Sequence, residues 1–300
     1  METCVIQTEG LVKYFDGRAV LKGIDLQVPR GCIYGLLGRN GAGKTTLIRI
    51  LLGQENPTRG RTFLFEQNTE ILSRKTKGRI GYVAEGHHLI QAYTVKRLTG
   101  LCRGLSLRWN QRFFEELTDL FKLPMNRKVK DLSTGMRAQL NLAVAMATDP
   151  ELLILDDPTL GLDTVVRRQF LELAIDVIQR DGRTILFSSH ILSDVERIAD
   201  RIGILAGGKL VVDCTLEGLK KKIRKFRLIF EREAPKQLYL IDLIRQQNEG
   251  REMIITAADW TDTKYRMLQA LSPQNVIEIP MNLEDVFLEC TRTENEVKTA

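Results

Sequence analysis

The chain has no apolar run approaching the 18 or so residues a helix needs to cross a bilayer, so no membrane span is expected. It has no Cys-x-x-Cys pair. Its five cysteines, at positions 4, 32, 102, 214 and 290, are odd in number and widely scattered. That argues against a disulfide framework and against thiolate metal ligation, and makes a reducing cytosol the expected compartment. The opening Met1-Glu2-Thr3-Cys4 has neither a basic flank nor an apolar stretch, so no export signal is expected. Internal repeats and low-complexity segments are absent. The densest basic run, 220–227, holds a single aromatic, Phe226, too few for a base-stacking platform, and nucleic acid is not an expected partner.

What is present suits a globular protein of one large domain or two modest ones: 300 residues, 43% hydrophobic and 27% charged. A net charge of +6 is a weak pull toward anionic partners, such as nucleotide or a membrane surface. The one dense basic cluster is Lys220, Lys221, Lys222, Arg224, Lys225 and Arg227. It reads first as a solvated helix face and second as a patch near anionic headgroups.

Residues 38–45 run Gly-Arg-Asn-Gly-Ala-Gly-Lys-Thr. Gly38, Gly41 and Gly43 allow backbone conformations closed to other residues. Successive N–H groups, through Arg39, Asn40 and Ala42, can then turn inward around an anion. Lys44 is placed to reach the β- and γ-phosphates, Thr45 to hold Mg²⁺, and Thr46 follows in the same turn. Ile33–Leu37 reads as a buried strand and Thr45–Leu52 as a helix whose N-terminus faces the phosphates. ATP and Mg²⁺ are the expected ligands.

Around this motif, Val5–Leu11 and Val20–Val28 read as strands, separated by a turn over Lys13–Gly17. Phe63–Phe65 and Ile80–Val83 are further short strands. From about Val95 to Met146 the period is helical. Leu98, Leu101 and Leu105 form one stripe; Phe113, Phe114, Leu117, Leu120 and Phe121 form another. Both read as core faces of a helical subdomain over about 86–150. Strand signals return at Leu152–Leu155, Thr184–Ser188 and Arg201–Leu205, with helices at about Val165–Arg180 and Leu192–Ala199. That alternation implies a mostly parallel, covered sheet. After Gly218 the composition changes to a small α+β module over 219–300. Its expected strands are Phe226–Phe230, Met253–Thr256 and Val276–Ile279, and its expected helices Pro235–Gln247, Thr261–Leu271 and Leu283–Thr291. Pro235 suits a first helical turn and Asn282 an N-cap.

Four further segments carry chemistry. The strand Leu152–Leu155 ends in Asp156-Asp157, where one carboxylate can hold the Mg²⁺ shell and the next can orient a water. His190 follows a strand in Ser188-Ser189-His190, where it can bond a γ-phosphate. Gly81–Glu85 sets a carboxylate at a strand end, and Gly161-Leu162-Asp163 closes a turn.

In this order and spacing, with Leu132-Ser133-Thr134-Gly135-Met136 between them, the segments resemble those of ATP-binding cassette (ABC) ATPases over residues 1 to about 218. The resemblance implies an α/β P-loop NTPase core of ABC type with an inserted helical subdomain, followed by a small C-terminal α+β domain. It makes Ser133, Thr134 and Gly135 a signature acting on the nucleotide of a second subunit. Phe15 becomes the aromatic that stacks on adenine, and Asp163 the D-loop aspartate. Glu85 takes the place of the Q-loop glutamine and joins Thr45 and Asp156 around the metal. Asp157, His190 and Glu85 form the implied catalytic set.

Leu283–Glu289 resembles the ending of ATPases that serve ABC-2-type exporters. The implied protein is the energy subunit of an exporter. It pairs with a separate transmembrane permease, lies on the inner face of the cell membrane, and dimerises with itself or a related subunit when ATP binds. The groove beside Glu85–Tyr93 is the implied socket for the permease, and His87 and His88 there read as ordinary surface histidines.

Two departures from the family pattern stand out. Asp157 replaces the family's glutamate and sets the carboxylate back by roughly 1 Å, a shift that can cost ~10²-fold in rate. Thr134 and Met136 replace Gly and Gln of the signature, while Ser133 and Gly135 are kept. Slow turnover with intact phosphate recognition is the expectation. Two other readings stay open: a soluble cassette ATPase working on ribosomes or nucleic acid, and a switch driven by ATP occupancy without transport.

Overall fold

The computed structural model describes residues 4–164, 166–172 and 182–291. β1 (Cys4–Phe15) and β2 (Arg18–Pro29) form an antiparallel hairpin. Only Asp16 and Gly17 turn, so β1 runs through the Lys13–Phe15 stretch expected to be loop. Tyr14 and Phe15 pair with Ala19 and Arg18, which extends the ladder to the tip. β4 (Arg59–Leu64) pairs with β1, and β5 (Gln67–Asn68) completes a sheet in the order β2-β1-β4-β5.

A second sheet has the order β10-β9-β3-β8-β7-β6. Its members are β3 (Ile33–Leu37), β6 (Ile80–Val83), β7 (Leu152–Asp156), β8 (Thr184–Ser189), β9 (Arg201–Ala206) and β10 (Lys209–Thr215). β6, β7, β8, β3 and β9 run parallel. β3, β7 and β8 are buried along their whole length, as parallel strands covered on both faces must be.

Helix α1 (Lys44–Leu51) buries Leu47, Ile48, Ile50 and Leu51 in a core shared by the two sheets. Ile6, Leu11, Leu21 and Leu26 come from the first sheet; Leu36, Leu152, Ile154 and Leu186 come from the second. Gly35 points the opposite way, where a Cβ would overlap Val195 of the helix Leu192–Ile198. Of the helix expected over Val165–Arg180, residues 166–172 are helical and the rest lie outside the described residues.

α2 (Arg74–Lys77) leads into β6, and three longer helices separate β6 from β7: α3 (Val95–Leu105), α4 (Gln111–Leu120) and α5 (Thr134–Ala147). Each of the three starts on a side-chain cap, from Thr94, Asn110 and Ser133 respectively. Leu98, Phe114 and Leu117 are buried as expected. Leu101, Leu105 and Leu120 are not, at 41%, 69% and 61% exposed. The inward stripe of α3 is Val95, Leu98 and Cys102, packed on Leu132 and Leu140, and Leu105 at the helix end runs past that cluster.

The chain divides into two compact units, the first ending at Asp213 and the second beginning at Cys214. The second holds an antiparallel sheet in the order β12-β13-β11-β14. Its strands are β11 (Arg224–Ile229), β12 (Leu243–Glu249), β13 (Glu252–Ala257) and β14 (Asn275–Ile279). Phe226, Leu228, Met253, Ile255 and Leu268 form its core, and Phe226 stacks on Trp260 with ring centroids 4.4 Å apart. Helices span Leu216–Lys222, Asp262–Ala270 and Leu283–Thr291. The last is capped reciprocally: Asn282 Oδ1 accepts from Asp285 N at 2.8 Å, and Asp285 Oδ2 accepts from Asn282 N at 3.0 Å.

Two expectations fail in this unit. No helix forms over Pro235–Gln247; β12 takes up the segment from Leu243 onward. Glu249 pairs with Glu252 across Gly250-Arg251, a hairpin turn with φ 60° at the glycine, which pulls the segment into the sheet. Ahead of β12, buried Leu238 and Leu240 alternate with exposed Tyr239 and Ile241, an extended rather than a helical period. Gln246 Oε1 accepts from Leu238 N and Asn248 Nδ2 donates to Pro235 O, both at 2.8 Å.

The basic cluster is a solvated helix face only in its first half. Lys220, Lys221 and Lys222 belong to the helix, with Lys221 and Lys222 exposed, whereas Arg224, Lys225 and Arg227 lie on β11. Among the described residues, four of the six meet a carboxylate: Lys222 with Asp259 at 3.8 Å, Arg224 with Glu278, Lys225 with Glu289 at 2.7 Å, and Arg227 with Glu252 at 3.6 Å. Among the described residues no helix is long and apolar enough to cross a membrane.

Candidate functional site

The parallel strands all end on one edge, and their register aligns what leaves it. Val83 of β6 pairs with Leu155 of β7, Asp156 pairs with Ser188 of β8, and Ser189 pairs with Leu37 of β3. Glu85, Asp157, His190 and Gly38 therefore emerge side by side, at the carboxyl ends where open α/β sheets bind ligands.

β3 delivers the glycine-rich loop to this edge. A Cβ at Gly38 would lie 2.8 Å from Leu205 O. Gly43 has φ 108°, and a Cβ there would lie 2.8 Å from Leu21 Cδ2, so both backbone and space require glycine. Arg39, Asn40 and Gly41 are exposed, while Ala42, Thr45 and Thr46 are half-buried. Lys44 is 7% exposed and its Nζ donates to Gly38 O at 2.7 Å. Burial lowers its pKa, and the charges of Asp157, Asp156 and Glu85 act the other way.

Asp156 Oδ1 accepts from Thr45 Oγ1 at 3.3 Å and from Ser188 Oγ at 2.8 Å. Ser188 Oγ in turn accepts from Asp157 N at 2.9 Å, so one hydroxyl fixes both aspartates. Asp157 has φ 44° and its Oδ2 lies 2.7 Å from His190 Nδ1. Burial pushes the Asp156 carboxyl up, and the Ser188 and Thr45 bonds hold it down.

Asp156 Oδ2 and Asp157 Oδ1 are buried without a hydrogen-bond partner among the described residues. Such an oxygen costs ~1–3 kcal/mol or more if it stays unmet. The pair fits a cation beside Asp156 and a water beside Asp157. Among the described residues no three His, Cys, Asp or Glu side chains gather as a metal cage. Thr45 and Asp156 instead suit Mg²⁺, which takes one or two protein ligands and completes its shell with phosphate and water.

Glu85 is exposed, and its charge acts on Lys44. His87, read from sequence as a surface histidine, is 2% exposed, and both ring nitrogens lack partners among the described residues. Positive φ at Gly86 (76°) and His87 (51°) turns the ring inward. Burial, with Arg137 and His88 nearby, lowers its pKa. His88 is exposed.

Phe15 lies at the hairpin tip, 40% exposed, with Lys13 Nζ 4.7 Å from its ring centre. The returning strand meets the glycine-rich loop, since Val20 O would lie 3.3 Å from a Cβ at Gly43.

Ser133 and Thr134 are exposed at the start of α5. Thr134 Oγ1 accepts from Arg137, and a Cβ at Gly135 would lie 3.1 Å from Val166 Cγ1. Asp163 Oδ1 accepts from Val166 N at 3.0 Å. The structure thus gathers the glycine-rich loop, Glu85, Asp156, Asp157 and His190 at the sheet edge, and groups Thr134 and Gly135 with Gly161 and Val166. Ser188, Thr159 and Asp194 carry bonds that sequence reading did not assign; a hydroxyl ending an apolar strand was the one available signal, at Ser188.

Fold and site together define a P-loop nucleotide-binding ATPase. Residues 21–160 match the family described as ABC transporter. The chain is 34% identical over 287 residues to the ABC transporter ATP-binding protein YtrB of Bacillus subtilis (strain 168), covering 95% of this chain and 97% of that one. It is 31% identical over 300 residues to Nod factor export ATP-binding protein I of Rhizobium leguminosarum bv. viciae, with coverage of 97% and 96%. It is 37% identical over 226 residues to the bacitracin transport ATP-binding protein BcrA of Enterococcus faecalis, with coverage of 74% and 73%.

A solved ATP-binding subunit of an ABC transporter shares the fold with a TM-score of 0.67 at 25% identity, covering 72% of this chain and 92% of that one. The dimeric cassette MJ0796, in a post-hydrolysis state with ADP and Pi, does so with a TM-score of 0.63 at 22% identity, over 70% and 98%. The chain belongs to the ATP-binding subunits of ABC transporters. Members of that family bind and hydrolyse ATP, usually with Mg²⁺.

Proposed function

We propose that this chain powers an exporter whose membrane part is a separate permease, by closing with a second copy around ATP and opening after hydrolysis. The observation that carries this reading is the division of the site. Lys44, Asp156, Asp157 and His190 converge at the sheet edge, while Ser133 and Thr134 face solvent at the N-terminus of a 14-residue helix. That helix end favours phosphate, as a composite site completed from a second copy requires.

In this reading the loop N–H groups and Lys44 hold the β- and γ-phosphates. Mg²⁺ beside Thr45 and Asp156 supplies charge neutralisation across the transferring phosphoryl group. Asp157 Oδ1 orients the attacking water and takes its proton. Oδ2 meanwhile fixes the His190 ring through Nδ1, which leaves Nε2 to face the γ-phosphate. The short Asp157 side chain makes turnover slow. Phe15 stacks on adenine from the hairpin tip, and Asp163 faces the second copy.

Export is supported by relatives named for Nod factor export and bacitracin transport. A permease socket is supported by apolar side chains left in solvent: Ile90, Leu101 and Leu105 are 46%, 41% and 69% exposed. Leu89 and Tyr93 pack with Val95 and Leu98, so the segment after Glu85 and α3 form one body.

Light scattering of Asp157→Asn tests the dimer. With ATP and Mg²⁺ it is expected at twice the monomer mass, and with ADP as the monomer. Ser133→Ala on the same background should weaken dimerisation about tenfold, as loss of one charge-assisted hydrogen bond does. A nucleotide-loaded protein that stays monomeric at high concentration rejects the composite site. Recovery without any membrane subunit, on purification from membranes of the native cell, rejects the permease.

A further inference from the structure

Four residues beyond His190, on the helix Leu192–Ile198, Asp194 is 5% exposed. A carboxylate so buried needs partners. Thr159, itself 1% exposed, donates from Oγ1 to Asp194 Oδ2 at 2.9 Å. Burial pushes the Asp194 carboxyl above its ordinary range. The Thr159 bond and the Arg167 charge hold it down, and Asp157 and His190 act on it more weakly, in opposite directions. Its helix cannot shift easily, because Val195 is seated against β3 at Gly35 and a Cβ there would also lie 3.2 Å from Ala199 Cβ.

Thr159 is the stem of the connection 158–163. Leu160 N donates to Asp157 O at 3.1 Å, and Leu162 N donates to Thr159 O at 3.2 Å. Pro158, Thr159 and Leu162 are buried, whereas Leu160, Gly161 and Asp163 are exposed. Arg167 donates to Leu162 O at 3.4 Å from the following helical segment. The exposed part lies against the start of α5: a Cβ at Gly161 would be 3.7 Å from Thr134 Cγ2, and one at Gly135 would be 3.1 Å from Val166 Cγ1. The connection thus leads from the Asp157–His190 pair to the start of α5, where Gly161 faces Thr134 and the adjoining Val166 lies beside Gly135.

We propose that Asp194 is a positioning residue: by pinning Thr159 it makes the 158–163 connection stiff, so that the state of this subunit's Asp157–His190 pair is passed to its own Ser133–Gly135 segment. The proposal rests on the reading above, in which that segment serves the nucleotide of the second copy. Asp194 then couples the two ATP sites of the dimer. With Thr159 held, a displacement of the Asp157 backbone must travel on to Gly161 and Thr134. With Thr159 released, the connection absorbs it.

The test uses the full-length protein and three variants. Thr159→Val keeps shape and loses the hydroxyl, Thr159→Ser keeps the hydroxyl, and Asp194→Ala removes the anchor. Binding of a fluorescent ATP analogue and steady-state phosphate release are measured for each, with thermal melting as the control for folding. For the unaltered dimer the Hill coefficient should approach about 2, the number of coupled sites.

In Thr159→Val it should fall to about 1, with half-saturation within about threefold and kcat lower by roughly tenfold, the scale of one lost hydrogen bond to a charged group. Thr159→Ser should restore both, and Asp194→Ala should copy Thr159→Val. Unchanged cooperativity and kcat in Thr159→Val overturn the proposal, as does a Thr159→Ser protein that behaves like Thr159→Val. If Asp194→Ala does not fold, the two Thr159 variants decide alone. An unaltered protein that binds ATP as a monomer, with a Hill coefficient near 1, rejects the composite site itself, and the proposal falls with it before any variant is compared.

Discussion

Asp157→Asn is expected to bind ATP as tightly as the unaltered protein and to release phosphate roughly 10²- to 10⁴-fold more slowly, the range that a positioned general base supplies. The geometry gives the reason. Asp157 Oδ2 is committed to His190 at 2.7 Å, and Oδ1 is buried without a partner among the described residues. An amide at this position keeps the volume but removes the carboxylate proposed to take a proton from water. Asp157→Glu moves the carboxylate forward by roughly 1 Å and should raise turnover by up to ~10²-fold, since misplacement on that scale costs about as much. Steady-state phosphate release from the three proteins measures both changes. A glutamate variant slower than the unaltered protein would show a site built around the shorter side chain, with the left-handed backbone at residue 157 holding the carboxylate forward.

Lys44→Ala should weaken ATP binding about 10- to 10²-fold, as expected for loss of a hydrogen-bonded cation worth ~1.5–3 kcal/mol against phosphate. Calorimetry reads this directly. The same variant separates binding from folding. In the unaltered protein Lys44 is buried, and that burial lowers its pKa and disfavours the charged form. Replacing it should leave the melting temperature without nucleotide unchanged or higher, while the stabilisation that ATP confers at a given concentration falls. For the unaltered protein that stabilisation is ~2.7 kcal/mol at a ligand concentration 100 times Kd. Equal ATP affinity in the two proteins would remove the glycine-rich loop from the nucleotide site.

Much of the first unit could be read from the chain because its signals are local. A buried parallel strand must be a short apolar run, so Ile33–Leu37, Ile80–Val83 and Leu152–Leu155 fall within a residue of β3, β6 and β7. Asp156, Asp157 and His190 were legible because each ends such a run. Signals that depend on a distant partner were not. Leu101 and Leu105 carry the helical period of a core face, but periodicity does not tell whether the face meets this chain or another molecule. His87 is polar and adjoins His88, yet a turn at Gly86 buries one ring and exposes the other. The segment 235–247 has acceptable helix formers after a proline, and the Gly250 hairpin overrode them. The Thr159–Asp194 bond joins residues 35 positions apart and leaves no trace in composition or period.

The alignment of Asp156, Ser188 and His190 on neighbouring strand ends has a bearing on how this chain can change. Side chains alternate along a strand, so deleting one residue from β7 or β8 carries Asp156 or Ser188 to the opposite face of the sheet. Strand lengths here are locked to a single value, whatever residues fill them. The connection 106–110 between α3 and α4 carries no such parity: doubling a flexible loop costs only ~0.6 kcal/mol. An insertion or deletion in such a connection is thus expected to be tolerated, whereas one inside β7 or β8 is expected to break the site.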